Sequence, residues 1–418
     1  MGTTTSTPER IHLSGPQMPV LRGTVRITGS KSESNRLLLL QALYPQIRIE
    51  NLSNSDDSQV MRNALASEAD TIDIHHAGTA MRFLTAFFSG QEGREVILTG
   101  SDRMKQRPIK ILVEALRELG ADIEYLEHAG CPPLKIRGRR LKGKSVSLPA
   151  DVSSQYISAL LLTAPGLPEG LELTLKGRIT SLPYIRMTLG LLTRLGVPCQ
   201  MEDNTIRVSS VPALPEQVCV VESDWSSASY FYSILALSGA GSRIAMQAYR
   251  KDSLQGDSML QQIFAQLGVR SEFAGDQLIL TRNTYETGAS LKLDLIEAPD
   301  LAQTVAVCCF GLGIGCDLSG LHTLKIKETD RLRALEAELG KMGADITVTG
   351  DSLHLKKPGG TPLKDRSIAT YNDHRMAMAF APLALRTSLF IEDAGVVSKS
   401  YPGFWEDLEG LGFVVENV

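Results

Sequence analysis

The stretch Ala115–Leu126, ALRELGADIEYL, decides the fold. It begins with helical spacing and ends with strand alternation, and Gly120 stands at the change. Glycine enters the left-handed backbone region at no steric cost, so a glycine just past an amphipathic helix closes it and releases the chain into a strand. The phrase returns as LLTRLGVPCQM around Gly196, IFAQLGVRSEF around Gly268, LGKMGADITV around Gly343 and LEGLGFVVEN around Gly412, at intervals of about 70–76 residues. MRNALASEADTIDI is a copy without the glycine. Recurrence at a fixed period is the signature of a repeated supersecondary unit.

A second phrase keeps the same rhythm: a polar helix start followed by an apolar helix. Its copies begin near Gly29 (GSKSESNRLLLL), Gly78 (AGTAMRFLTAFF), Asp151 (DVSSQYISALLL), Asp224 (DWSSASYFYSIL), Asp300 (PDLAQTVAVCCF) and Asp373 (NDHRMAMAFAPL). Together the phrases predict six copies of one α/β unit, each with two helices and about four strands. Six units of roughly 70 residues account for the 418 residues of the chain. Grouped by threes they give two domains, as a chain of this length requires. The strand-like run RGTVRITG precedes the first copy, and the segment before it is expected to pair elsewhere.

Composition narrows the function. The formal net charge is −4, which lacks the basic excess of a nucleic-acid binder. The six cysteines (131, 199, 219, 308, 309 and 316) form no C-x-x-C pair and have no histidine at ligand spacing, which suits a reducing cytoplasm and gives no metal site. The first ten residues, MGTTTSTPER, are polar and carry no secretory signal. Gly2 and Ser6 fit the myristoylation pattern, which is too short to outweigh chance. The longest uncharged run, Leu301–Cys316, is shorter than the ~20 apolar residues of a membrane span.

Helix N-termini carry unpaired N–H groups and about half a positive charge, so they favour anions. For any one of these starts, the Ser, Thr, Asp or Asn reads as an N-cap. Convergence of the starts by repeat symmetry would instead line a cleft suited to small polyanions. Basic residues cluster at these turns: Lys31 and Arg36 beside Ser32, Arg82, Arg107, His374, Arg375 and, near the end, Lys399. Lys327 and Arg331 in KETDRL are expected at i and i+4 on one helical face. Arginine suits bidentate contacts with phosphate or carboxylate. No P-loop, no strand-to-helix G-x-G-x-x-G and no H-E-x-x-H is present, and Ser55-Asp56-Asp57 reads as a helix cap.

At these residues the sequence resembles the 5-enolpyruvylshikimate-3-phosphate synthase family. GSKSESNR, AGTAMR, RMKQRPI, VSSQ, KETDRL and YNDHRMAM occur in family order over roughly Gly23–Pro402. The resemblance implies an α/β fold of two similar domains, each of three βαβαββ units, with the active site in the interdomain cleft. The crossings fall near Thr28–Gly29 and Glu222–Ser223, so one domain is 1–28 plus 223–418 and the other is 29–222. It implies transfer of the enolpyruvyl group of phosphoenolpyruvate to the 5-hydroxyl of shikimate 3-phosphate by a cytoplasmic monomer, without metal or cofactor. Shikimate 3-phosphate is expected on Lys31, Ser32, Arg36, Ser153, Ser154, Ser181, Tyr184, Asp300 and Lys327. Phosphoenolpyruvate is expected on Lys31, Gly78, Arg107, Gln155, Arg331, Arg375 and Lys399. Asp300 is the implied base and Glu328 the implied proton donor, with Lys31 beside them. Nearby Lys327 and Arg331 would oppose the proton on Glu328 unless burial or substrate phosphates offset them.

The sequence departs from the family pattern at four positions. His76 replaces Asn, Phe83 replaces Pro, Thr323 replaces Asn and Thr28 replaces Pro. Glyphosate shares the phosphoenolpyruvate site in this family, and Gly78, where a methyl would crowd that site, is retained. The sister transferase acting on UDP-N-acetylglucosamine usually carries a reactive Cys in the loop that reads SDRMKQRP here, with no Cys. A non-catalytic anion-binding relative would be expected to lack the acid or the base, and both are present.

Overall fold

The computed structural model describes residues 9–150, 153–177, 179, 182–284, 288 and 290–418. The chain divides into two compact units, Met1–Thr28 with Glu222–Val418, and Gly29–Val221. β1 (Arg10–Ser14) and β2 (Arg22–Val25) precede α1 (Lys31–Leu43), β3 (Ile47–Glu50) and α2 (Asp56–Leu65). A complete repeat follows: β4 (Thr71–Asp73), α3 (Gly78–Ser89), β5 (Glu95–Thr99), α4 (Lys110–Glu118), β6 (Asp122–Tyr125) and β7 (Leu134–Arg137). The next is β8 (Ser145–Pro149), α5 (Ser154–Thr163), β9 (Leu171–Lys176), α6 (Leu182–Arg194), β10 (Cys199–Glu202) and β11 (Thr205–Val208). The fourth is β12 (Gln217–Val220), α7 (Trp225–Leu237), β13 (Arg243–Met246), α8 (Leu260–Ala265), β14 (Val269–Ala274) and β15 (Gln277–Arg282). The fifth is β16 (Ser290–Asp294), α9 (Ala302–Leu312), β17 (Gly315–Ser319), α10 (Arg331–Lys341), β18 (Ile346–Val348) and β19 (Leu353–Leu355). The last is β20 (Arg366–Ile368), α11 (His374–Phe380), β21 (Leu389–Glu392), α12 (Phe404–Gly410) and β22 (Val414–Asn417).

Each complete repeat folds into one four-stranded sheet. In β4-β5-β7-β6 the helical crossover through α3 makes β4 and β5 parallel, and the remaining pairs are antiparallel. The sheets β8-β9-β11-β10 and β16-β17-β19-β18 repeat this order. The exceptions lie at the chain crossings. β2 precedes α1 but runs parallel to β13, with Arg22 opposite Arg243. β12 precedes α7 but runs parallel to β3, with Gln217 opposite Ile47. Strand β1 completes the last sheet between β21 and β22. The N-terminal segment thus pairs far along the chain, and the first copy keeps only the two-stranded sheet β3/β12, short of the four strands expected.

The two recurring phrases fold into two kinds of helix. The polar-start helices are buried on nearly every side: in α7 every residue except Ser226 is buried. Such a helix belongs inside a core. Helices α1, α3 and α5 pack on one another in one unit, and α9 packs on α7 and α11 in the other. The glycine-closed helices are amphipathic and lie outside these, as in α4, where Leu112, Val113, Ala115 and Leu116 are buried. Gly120, Gly196, Gly268, Gly343 and Gly412 all have positive φ. After Gly196, the Val197 N–H reaches back to Leu192 O (2.9 Å), the bond of a Schellman cap.

Capping at the polar starts is only partly as expected. Ser153, Asp224 and Asp373 accept backbone N–H groups, whereas Ser30, Ala77 and Leu301 at the other three starts make no side-chain cap. Ser55 caps α2 by accepting from Ser58 N–H, as the sequence suggests. The Asp151 start falls partly outside the described residues, and Gly2 and Ser6 lie outside them altogether.

At Gly196, φ is +87° with nothing within 4 Å of an added Cβ, so Gly196→Ala isolates backbone strain from crowding. The left-handed conformation costs a residue with a Cβ about 1 kcal/mol. The expected outcome is a fall in melting temperature of about 2–4 °C, read by differential scanning calorimetry, with turnover unchanged.

Candidate active site

In the Gly29–Val221 unit, the starts of α3 and α5 meet: Gln155 Nε2 donates to Thr79 Oγ1 (3.1 Å). Lys31 opens α1 and pairs with Asp57 (3.1 Å), at the start of α2. Gly78 opens α3, and an added Cβ there would lie 2.4 Å from Nη1 of Arg107. The missing side chain therefore lets the Arg107 guanidinium lie against the helix start. The Arg107 loop is tied down by Ser101, whose Oγ is 2.8 Å from Nδ1 of His76. Ser153 caps α5, followed by buried Ser154 and Gln155.

Two arginines of this unit are buried among neutral oxygens. Arg36 donates to Ser32 O (2.7 Å), Thr188 Oγ1 (2.8 Å), Ser158 Oγ (3.0 Å) and Tyr184 O (3.4 Å). Its guanidinium lies over the ring of Phe83, 5.5 Å from the centroid. Phe83 is wholly buried, so its departure from the family pattern fills the core below Arg36. Arg82 donates to Gly78 O (3.2 Å) and Pro108 O (2.9 Å). Burial pulls both guanidinium groups down to about 10, and neighbouring Arg107 pulls Arg82 further in the same direction. Tyr184 lies in the first turn of α6, while Ser181 falls outside the described residues.

In the other unit a buried carboxylate gathers cations from separate segments. Asp300 sits just before α9 and is 6% exposed. Its Oδ1 is 2.7 Å from Arg331 Nη1 and 3.4 Å from Lys327 Nζ, and its Oδ2 is 3.5 Å from Arg375 Nη2. Arg331, 1% exposed, also donates to Asp373 Oδ2 through Nε (2.6 Å) and to Glu328 Oε2 through Nη2 (2.7 Å). Burial disfavours the Arg331 charge, but Asp373, Glu328 and Asp300 overcome it and hold the guanidinium above its ordinary pKa. Glu328 faces Arg331 as an acceptor, so its carboxylate form is the one this geometry favours.

The expectation of one helical face for Lys327 and Arg331 is corrected. Residues 327–330 form the approach to α10, which begins at Arg331 under an Asp330 cap. Lys327 and Arg331 meet through Asp300 instead. Lys399 donates to Asn372 O (2.8 Å) and Oδ1 (2.6 Å). Thr323 turns its hydroxyl inward, where it has no hydrogen-bond partner among the described residues. Asp373, read from the sequence only as a helix start, is fully buried, caps α11 and holds Arg331. Its place between Asn372 and Arg375 in NDHR was the available signal.

The fold and these residues define a class: an α/β repeat protein whose inner helix starts hold arginines and lysines around buried polar groups. A family model described as EPSP synthase (3-phosphoshikimate 1-carboxyvinyltransferase) matches residues 62–408. The 3-phosphoshikimate 1-carboxyvinyltransferase of Bacteroides fragilis is 45% identical over 415 residues, covering 97% of this chain and 99% of its own length. That of Haemophilus influenzae is 35% identical over 425 residues, covering 94% and 96%. Among solved structures, EPSP synthase from Acinetobacter baumannii shares the fold with a TM-score of 0.77 at 23% identity, covering 97% of this chain and 100% of that one. The chain belongs to the EPSP synthase family.

Removing one partner of a buried ion pair strands the other charge, which typically costs about 3 kcal/mol. Asp373→Ala should destabilise the protein by that order in urea unfolding, since it also removes the cap of α11. Arg333→Ala should change little, because its partner Glu336 and the arginine itself are solvent-accessible (2.5 Å pair).

Proposed function

We propose that the chain transfers the enolpyruvyl group of phosphoenolpyruvate to the 5-hydroxyl of shikimate 3-phosphate, releasing phosphate. The observation that carries the reading is Asp300: a buried carboxylate in reach of three cations, in a chain whose curated relatives are named for this reaction. Asp300 takes the proton of the attacking hydroxyl. Glu328 delivers a proton to the methylene carbon of phosphoenolpyruvate, which leaves C2 electrophilic. The hydroxyl oxygen adds to C2 and gives a tetrahedral ketal phosphate. Loss of a proton from the methyl group and departure of phosphate restore the enol ether. Acid, base and fixed cations supply this chemistry.

Glu328 must be protonated to act, and Arg331 holds it as an acceptor (2.7 Å). Anions arriving beside Arg331 compete for its N–H groups and add negative charge near Glu328, and both effects favour the proton. Lys31, Ser32, Arg36, Ser153, Ser154, Ser181, Tyr184 and Lys327 join Asp300 in holding shikimate 3-phosphate. Lys31, Gly78, Arg107, Gln155, Arg331, Arg375 and Lys399 hold phosphoenolpyruvate. No helix of the described residues is long and apolar enough to cross a membrane. The six free cysteines support action in a reducing cytoplasm, where we take the chain to work as a monomer.

The deciding assay is phosphate release from phosphoenolpyruvate in EDTA, with shikimate 3-phosphate or UDP-N-acetylglucosamine as acceptor. Release with shikimate 3-phosphate alone is expected, and release only with the nucleotide sugar would replace this reading with the sister activity. Asp300→Ala and Glu328→Gln should each lower kcat by at least about 100-fold. Gly78→Ala should raise KM for phosphoenolpyruvate about 10-fold or more, because the new Cβ displaces Arg107.

A further inference from the structure

Behind Arg375 lies a buried acid that the reaction above does not use. Asp257 sits on the short turn Gly256–Met259 and is nine-tenths buried. Its Oδ2 accepts from the Ser226 hydroxyl, and Ser226 Oγ accepts in turn from Arg375 Nη2 (3.1 Å). On its other side the Arg375 guanidinium donates to Asp300 O (3.2 Å) and lies 3.5 Å from the Asp300 carboxylate. The chain of bonds has a direction. The hydroxyl has one proton, and giving it to Asp257 leaves its lone pairs facing Arg375.

The adjoining residue makes the arrangement rigid. Gln255, 5% exposed, accepts from Trp225 N–H through Oε1 (2.9 Å) and donates to Ser223 O through Nε2 (3.0 Å). These bonds dock the turn on the first residues of α7, where Ser226 sits. Gln255 thereby sets Asp257 and Ser226 at a fixed distance.

We infer that Asp257 is a positioning residue for Arg375, acting through Ser226 to aim the guanidinium at the anion it binds. The inference rests on the proposed role of Arg375 in holding phosphoenolpyruvate. A long arginine side chain has many rotamers, and fixing it before the ligand arrives avoids that entropic cost on binding. Burial pushes the Asp257 carboxyl up to about 6; Arg375 and the Ser226 bond oppose this, while Asp300 and Asp224 add to it. Above that pH the carboxylate can only accept from Ser226; as pH falls through it the carboxyl gains a proton that can donate to Ser226 Oγ and reverse the direction of the chain.

The test compares three variants. Asp257→Asn keeps an oxygen that accepts from Ser226 but removes the charge and the titration, whereas Asp257→Ala and Ser226→Ala each break the chain. Expected at pH 7.5 is a rise of about 10-fold in KM for phosphoenolpyruvate in both alanine variants, with kcat within about threefold and KM for shikimate 3-phosphate unchanged. The double variant should be no worse than either single one. Asp257→Asn should stay near wild type at pH 7.5, and should lose the rise in KM that wild type shows below about pH 6. Equal effects of Asn and Ala would overturn the inference in favour of charge alone, as would a fall in kcat without a change in KM. Crystal structures give a reading independent of turnover. Arg375 should keep its rotamer in wild type and Asp257→Asn and leave it in both alanine variants; an unmoved Arg375 would sink the inference whatever reaction the protein catalyses. Absence of turnover by wild type would count against the proposed reaction and leave this structural comparison intact.

Discussion

The buried charge of Arg331 is the constraint on which the inner helix starts of its unit depend. A guanidinium taken out of water must be paired on nearly every N–H, or its desolvation cost is left standing. Arg331 meets this need with Asp300, Glu328 and Asp373, drawn from the turn before α9, the approach to α10 and the cap of α11. One cation thereby fixes the relative positions of three segments, two of them repeat-equivalent helix starts. The same bonds place the proposed base and the proposed acid on a common support.

The other unit handles its buried cations in the opposite way. Arg36 and Arg82 are surrounded by carbonyls, hydroxyls and a methionine sulfur, with no carboxylate among their hydrogen-bond partners in the described residues. Their charge is solvated by dipoles and is not cancelled. Around Arg331, carboxylates cancel most of the positive charge. Cations solvated by dipoles keep a field that attracts anions, whereas donors already held by carboxylates are open to an anion only through competition.

Much of this was legible in the sequence because repetition exposes local rules. The glycine at 120, 196, 268, 343 and 412 marks a helix end by conformational need alone, and all five have the positive φ that need predicts. Polar starts with apolar continuations were read only as helix starts; the structure shows them to be the inner helices. What escaped depended on partners distant in the chain. Lys327 and Arg331 looked like helical neighbours because spacing is all a sequence offers, whereas Asp300, some thirty residues earlier, organises them. Arg36 was expected on shikimate 3-phosphate, and its bonds to Ser158 and Thr188 escaped the reading because both lie in another repeat. Asp257 sits in no recurring phrase, and its tie to Ser226 appears only in three dimensions.

The exchange of β2 and β12 sets an order of assembly. Residues Gly29–Val221 form one unbroken segment, and every strand of their sheets has left the ribosome once β12 is made. The first strands synthesised, β1 and β2, find their partners β21, β22 and β13 only in the second half of the chain. During translation they remain as unpaired strand edges beside a unit that can already close. Closing such long loops is slow and leaves edges exposed. Strand β1 is thus paired only after β21 and β22 are made, and a truncation that removes both would leave β1 without a strand partner.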